Sequence, residues 1–124
     1  AGFAEMVGEE CFEAPSAGQG RYVTDAAMAR TIADLARDSA KPTLLYAVTI
    51  ENHGPWAPED GPGPRDLVSS YLRLVRNSDT MLTALLDALA GLGRPAVLVF
   101  FGDHRPSIPG VTTPGPVRHT AVRD

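Results

Sequence analysis

Three residues near the ends of two apolar runs carry most of the chemistry open to this sequence. Asp103 and His104 stand side by side where "AVLVFF" gives way to Gly102, and His53 follows "TLLYAVTI" in the stretch "ENHGPW". A carboxylate and a neutral imidazole are standard ligands for a divalent ion such as Zn²⁺ or Mn²⁺. An ion held there would act as a Lewis acid on a phosphoryl or sulfuryl oxygen. His53 could donate a hydrogen bond to the same group. Neighbouring side chains of an extended segment point to opposite sides, so Asp103 and His104 share an ion only where a strand yields to a turn. The Arg105-Pro106 step favours such a break, and Gly102 lets the backbone approach an ion or anion closely. Plainer readings fit the same residues. Asp103-His104 can be a capped turn at a strand end, His53 an ordinary loop residue before Gly54-Pro55, and Glu51 and Asn52 solvated groups or partners of the loop backbone. Trp56 can simply lid the core, and Arg73 and Arg76 fall on the polar side of a helix.

The elements that must position these residues follow from periodicity. Gly2 to Phe12 reads as a short helix or turn, and "EAPSAGQGRY" as a surface loop. Thr24 is a good N-cap with Asp25 in the first turn, and Met28, Ile32, Leu35 and Ala36 keep helical spacing to about Ser39. Thr43 to Ile50 is a continuous apolar, β-branched run without alternation, which predicts a strand covered on both faces. A Pro/Gly-rich loop follows. Leu67, Tyr71, Leu74, Val75, Leu82, Leu85, Leu86 and Leu89 then predict a long helix stopped by Gly91 and Gly93. Ala96 to Phe101 predicts the second buried strand. The expected fold is therefore α/β: a partial, mostly parallel sheet with flanking helices, built on a right-handed βαβ unit. Ligand sites in such sheets lie past the carboxyl ends of the strands. If the two strands are neighbours, His53 meets Asp103 and His104 at one edge of the sheet.

Composition narrows the field further. The chain has 124 residues, enough for one small domain with a core. Its 44% hydrophobic and 21% charged residues are ordinary for a globular protein. A net charge of −4, with Lys and Arg scattered, gives no electrostatic case for nucleic acid. Cys11 is the single cysteine, so an internal disulfide and a thiolate zinc site are both excluded. The opening "AGFAEMVGEE" lacks a signal peptide's basic head and apolar run, and no stretch is long enough to span a bilayer. With no initial Met and an abrupt close at "RHTAVRD", the sequence reads as one piece, residues 1–124, of something longer, with residues 108–124 a tail of no readable structure. Truncation would leave a sheet edge bare and favour self-association.

The motifs "TIENHGPW" (Thr49 to Trp56) and "VFFGDHRPS" (Val99 to Ser107), in this order and separated by a long helix carrying Asp79, resemble the alkaline phosphatase/sulfatase superfamily. The match is to its lipoteichoic-acid-synthase and phosphoglycerol-transferase branch, which includes sulfatase-like capsule and envelope polysaccharide proteins. The opening "GFAEMV" is similar as well, so the resemblance runs from Gly2 to about Pro109. It implies the C-terminal part of an α/β/α sandwich. It implies that Asp103 and His104 ligate a divalent metal (manganese, magnesium or zinc) and that His53 contacts the phosphoryl group of the substrate. The implied reaction is phosphoryl- or sulfuryl-ester transfer or hydrolysis by a Thr or Ser, on a polysaccharide or glycerophospholipid. The family's nucleophile and remaining carboxylate ligand precede the matched segments, so no catalytic nucleophile is assigned here, the metal site is expected to be incomplete, and little turnover is expected of this chain alone. The resemblance also implies a membrane-anchored parent working outside the cytoplasmic membrane or in the periplasm, with a cytoplasmic home for some capsule-related relatives. The alternative reading is a non-catalytic sulfatase-like module that binds a glycan or a protein.

Overall fold

The computed structural model describes residues 2–16, 20–56 and 66–108. The expected tail therefore lies outside the described residues beyond Ile108. After a single 3₁₀ turn at Glu9–Cys11, two helices carry the fold: α1, Asp25–Asp38, and α2, Leu67–Ala90.

Both helices begin as their sequences dictate. Thr24 is extended, and its hydroxyl accepts from the Ala27 N–H at 3.1 Å, satisfying one of the donors that a helix start leaves unpaired. Asp66 does the same for α2, with Oδ1 accepting from the Ser69 N–H at 2.9 Å and Oδ2 from the Ser69 hydroxyl at 2.8 Å. The ends are closed differently. Arg94 reaches back to donate to the carbonyls of Ala36 and Ser39, capping α1 from the segment that follows α2. At the end of α2 the Gly91 N–H donates to Asp87 O, and Gly93, with φ of 66°, turns the chain where a side chain would be strained.

The helices pack on each other. Ala29 from α1 meets Met81 and Leu85 from α2, with Met28, Ile32 and Leu82 closing around them. Alanine on the α1 side lets the two backbones come close, and the longer methionine and leucine fill the gap.

The expected sheet is not there. The regular elements among the described residues are all helices, with no strand among them, so the α/β reading, the partial parallel sheet and the βαβ crossover are corrected. The reason lies in what an apolar run needs in order to become a strand. Its backbone must pair with a neighbour, and a strand covered on both faces also needs helices on both sides. The two runs are not paired with each other, and α1 and α2 spend their apolar faces on one another. Leu44 is accordingly 79% exposed and Val97 88% exposed. The unbroken hydrophobicity of Thr43 to Ile50 and Ala96 to Phe101 reports the surroundings these segments suit, which the described residues do not supply.

Candidate functional site

The sequence directed attention to His53, and the structure shows how it is held. His53 is exposed on a turn closed by its own N–H donating to Ile50 O at 2.9 Å. Its ring meets Tyr22 edge-on with 6.0 Å between centroids. Nδ1 lies 2.7 Å from Gly54 O, which places the proton of a neutral ring on Nδ1. Trp56 folds back over the turn, donating Nε1–H to Asn52 O at 2.8 Å and packing edge-on against Tyr71 of α2 at 5.4 Å.

Beneath this turn is a polar cluster that periodicity did not anticipate. The Glu51 carboxylate, buried, joins both helices: Oε2 accepts from the Asp25 N–H at 2.5 Å and Oε1 from the Asn77 amide at 2.6 Å. The Asn52 amide donates to Ser78 Oγ at 2.6 Å, and that hydroxyl donates to Asp25 Oδ2 at 2.5 Å. Asp25 is only 1% exposed. Burial pushes its carboxyl above the usual range, the Ser78 hydrogen bond works against the shift, and the nearby Glu51 charge adds to it. The sequence pattern makes Asp25 a first-turn acid and Glu51 and Asn52 solvated or loop-bound groups; the structure instead gives all three partners across the helices. The overlooked signal was on α2, where Ser70 and Ser78 fall on the same helical stripe as Leu74, Met81 and Leu85. A polar residue on a core-facing stripe asks for a partner. A cleft of about 510 Å³ opens beside the cluster, lined in part by Thr24, Arg30, Glu51, Arg73, Asn77 and Thr80, and it includes none of His53, Asp103 or His104.

Asp103 and His104 present a simpler picture. Both are exposed, at the end of the exposed run Ala96 to Phe101. Asp103 Oδ1 accepts from the His104 N–H at 2.8 Å, a local bond of the kind that caps a turn. His104 Nδ1 lies 3.1 Å from Arg105 O, so a neutral ring holds its proton there and leaves the Nε2 lone pair free. Nε2 is 3.7 Å from Asp103 Oδ2. Ligand bonds to zinc run about 2.0–2.2 Å for nitrogen and oxygen, so one ion can touch both atoms. These two donors fit a divalent ion as part of a ligand set. Among the described residues no group of three or more His, Cys, Asp or Glu side chains could hold a metal. The hydrogen bonds of His53 do not involve Asp103 or His104. The condition for their meeting, two adjacent strands, is not met among the described residues. Cys11 is exposed and free.

Residues 1–121 match the family model described as Sulfatase, and the chain belongs to that family. Members of this family generally use a metal. The chain is similar to a "Capsular polysaccharide biosynthesis protein RkpI" of Rhizobium meliloti (strain 1021), with 32% identity over 117 residues, 93% of this chain and 22% of that protein. It is also similar to a "Putative cyclic beta-1,2-glucan modification protein" of the same organism, with 26% identity over 102 residues, 73% of this chain and 16% of that protein. The chain thus spans less than a quarter of either relative. No solved structure matches it. The family match agrees with the resemblance that the two motifs carry.

Proposed function

We propose that this chain contributes to metal-dependent transfer or hydrolysis of a phosphoryl or sulfuryl ester on an envelope or capsular polysaccharide, in the manner of a phosphoglycerol transferase. Asp103 and His104 would supply two ligands to manganese, magnesium or zinc, completed by donors beyond the described residues. When bound, the ion would act as a Lewis acid on the ester oxygen. His53 would contact the same group. Its Nδ1 is held by Gly54 O, which leaves Nε2 as the ring nitrogen open to that contact. The whole protein would be membrane-anchored and act outside the cytoplasmic membrane or in the periplasm, on a polysaccharide or glycerophospholipid.

One observation carries the reading: the free Nε2 of His104 and Oδ2 of Asp103 lie at a separation one ion can span, in a chain of the Sulfatase family. The test supplies Mn²⁺, Mg²⁺ or Zn²⁺ with a chromogenic phosphodiester or sulfate ester to the full-length protein containing this chain. Turnover that requires metal and disappears in Asp103→Ala supports the proposal; turnover indifferent to chelation and to that substitution sinks it. The chain alone is expected to show little activity. A second reading is a non-catalytic module that binds a glycan or a protein. It predicts glycan binding that chelation leaves unchanged.

A further inference from the structure

We propose that Asp25 is a positioning residue for His53, acting through Ser78 and Asn52. The inference rests on the reading that His53 contacts the transferred group. Its physical basis is a continuous line of hydrogen bonds. Asp25 Oδ2 accepts from Ser78 Oγ at 2.5 Å, and Ser78 Oγ accepts from the Asn52 amide at 2.6 Å. Asn52 immediately precedes His53 in the turn. A serine hydroxyl has one proton to give. With that proton on Asp25, its lone pairs face Asn52, so the acid orients the hydroxyl and the hydroxyl orients the amide. Glu51 adds a second tie, to the Asp25 N–H and the Asn77 amide, so the turn is fixed to both helices rather than hinged on one.

The cluster is poorly explained as a device for stability. Asp25 Oδ1 and Asn52 Oδ1 are buried acceptors with no hydrogen-bond partner among the described residues. An unmet buried acceptor is unfavourable, and a buried carboxylate more so. The helices are already joined by Ala29, Met81 and Leu85, and apolar replacements of buried polar groups are often neutral or stabilising. What an apolar pair at 25 and 78 could not do is grip the turn. Trp56 holds the turn from above through Asn52 O and Tyr71, and the network grips it from below; a side chain that contacts a reacting group must be held to about 0.5 Å. The benefit of the network therefore lies at its far end, in the placement of the imidazole.

The experiment uses the full 124-residue chain, labelled with ¹⁵N, and reads the imidazole nitrogens of His53 and His104 by NMR. In the unaltered chain His53 is expected to show a single Nδ1–H tautomer. Ser78→Ala is expected to abolish that single state, giving mixed tautomers or broadened signals at His53, while His104 and the contacts of Ala29 with Met81 stay unchanged. Asp25→Asn keeps an oxygen that can accept from Ser78 and is expected to retain the wild-type His53 pattern. Should Ser78→Ala unfold the helices, Asn52→Ala cuts the same line from the turn side and takes its place, with the same loss expected at His53. An unchanged His53 spectrum in a folded Ser78→Ala or Asn52→Ala chain overturns the proposal. So does an Asp25→Asn chain, still folded, whose His53 behaves as in Ser78→Ala. The readout needs no turnover, so a failure of the ester-transfer assay would count against the functional reading alone.

Discussion

The turn that carries His53 is tied by side chains to both helices, whereas Asp103 and His104 end an exposed apolar run and, among the described residues, bond to each other and to Arg105. Both places end a hydrophobic stretch in polar residues, and the sequence alone treats them alike. Their difference is one of partners. Glu51 and Asn52 find theirs on α1 and α2, within the described chain, so that turn is organised by covalently linked neighbours. The run before Asp103 exposes Val97, Val99, Phe100 and Phe101. Two regions that differ in this way will respond unequally to damage.

The largest expected effect falls on the helix pair. Leu85, 3% exposed and in contact across the helix interface, should cost about 2–5 kcal/mol when cut to alanine, the range for deleting a buried leucine side chain. Chemical denaturation followed by helical circular dichroism would measure it. The His53 turn should loosen with it, because both of its anchors sit on these helices. A denaturation midpoint unmoved by Leu85→Ala would mean that the pair is held by something other than this cluster. The next effect concerns chemistry. Asp103→Ala should lower metal-dependent turnover of the full-length protein by at least about 100-fold, since even outer-shell partners of metal ligands account for 10–100-fold. The same substitution should leave the stability of the helix pair within about 0.5 kcal/mol, as for other exposed positions. A loss of helix stability to match the loss of turnover would erase the distinction between the two regions.

What the sequence made legible was local. Thr24 followed by Asp25, and Gly91 with Gly93, mark helix ends through groups that act within a few residues, so α1 and α2 were readable to within a residue or two. The two motifs around His53 and Asp103 carried the family. The sheet was misread because periodicity reports a preference for burial and cannot supply the neighbouring strands that satisfy a backbone. The polar cluster was missed for the opposite reason. Asp25 and Ser78 are 53 positions apart, and no spacing rule brings them together; only Ser78 on an apolar stripe hinted that the core held a polar partner.

Proton linkage offers a finer probe of the better-organised region. Burial holds the Asp25 carboxyl above its usual value, so the folded chain binds that proton more tightly than the unfolded one. Its contribution to stability is therefore complete below the ordinary carboxyl value, about 3.9, and is lost as pH rises through the raised one. Asp66 has the opposite sign. The Ser69 N–H holds its carboxyl below the usual range, so its contribution is present above the ordinary value and lost as pH falls through the lowered one. Stability measured against pH should decline above about pH 4 with a slope from Asp25 of at most about 1.4 kcal/mol per pH unit. Asp25→Asn should remove that decline while leaving the acid-side loss due to Asp66. A decline that survives the substitution would assign it to another group, Glu51 being the carboxylate that faces Asp25.

The smallest expected effect on stability is also the most informative about the other region. Val97 lies in the exposed run and should tolerate serine with a change within about 0.5 kcal/mol, because there is little packing to lose. The same run, with Leu44, Tyr46 and Val48 also exposed, is apolar surface of the kind that recruits partners. Val97→Ser should therefore lower self-association of the 124-residue chain, read by sedimentation velocity, without moving its denaturation midpoint. The two readouts separate because one depends on contacts within the chain and the other on contacts between chains. A clear shift of the midpoint would show that the run packs against the helices after all. Asp103 and His104 would then be held as firmly as His53, and the contrast between the two ends would vanish.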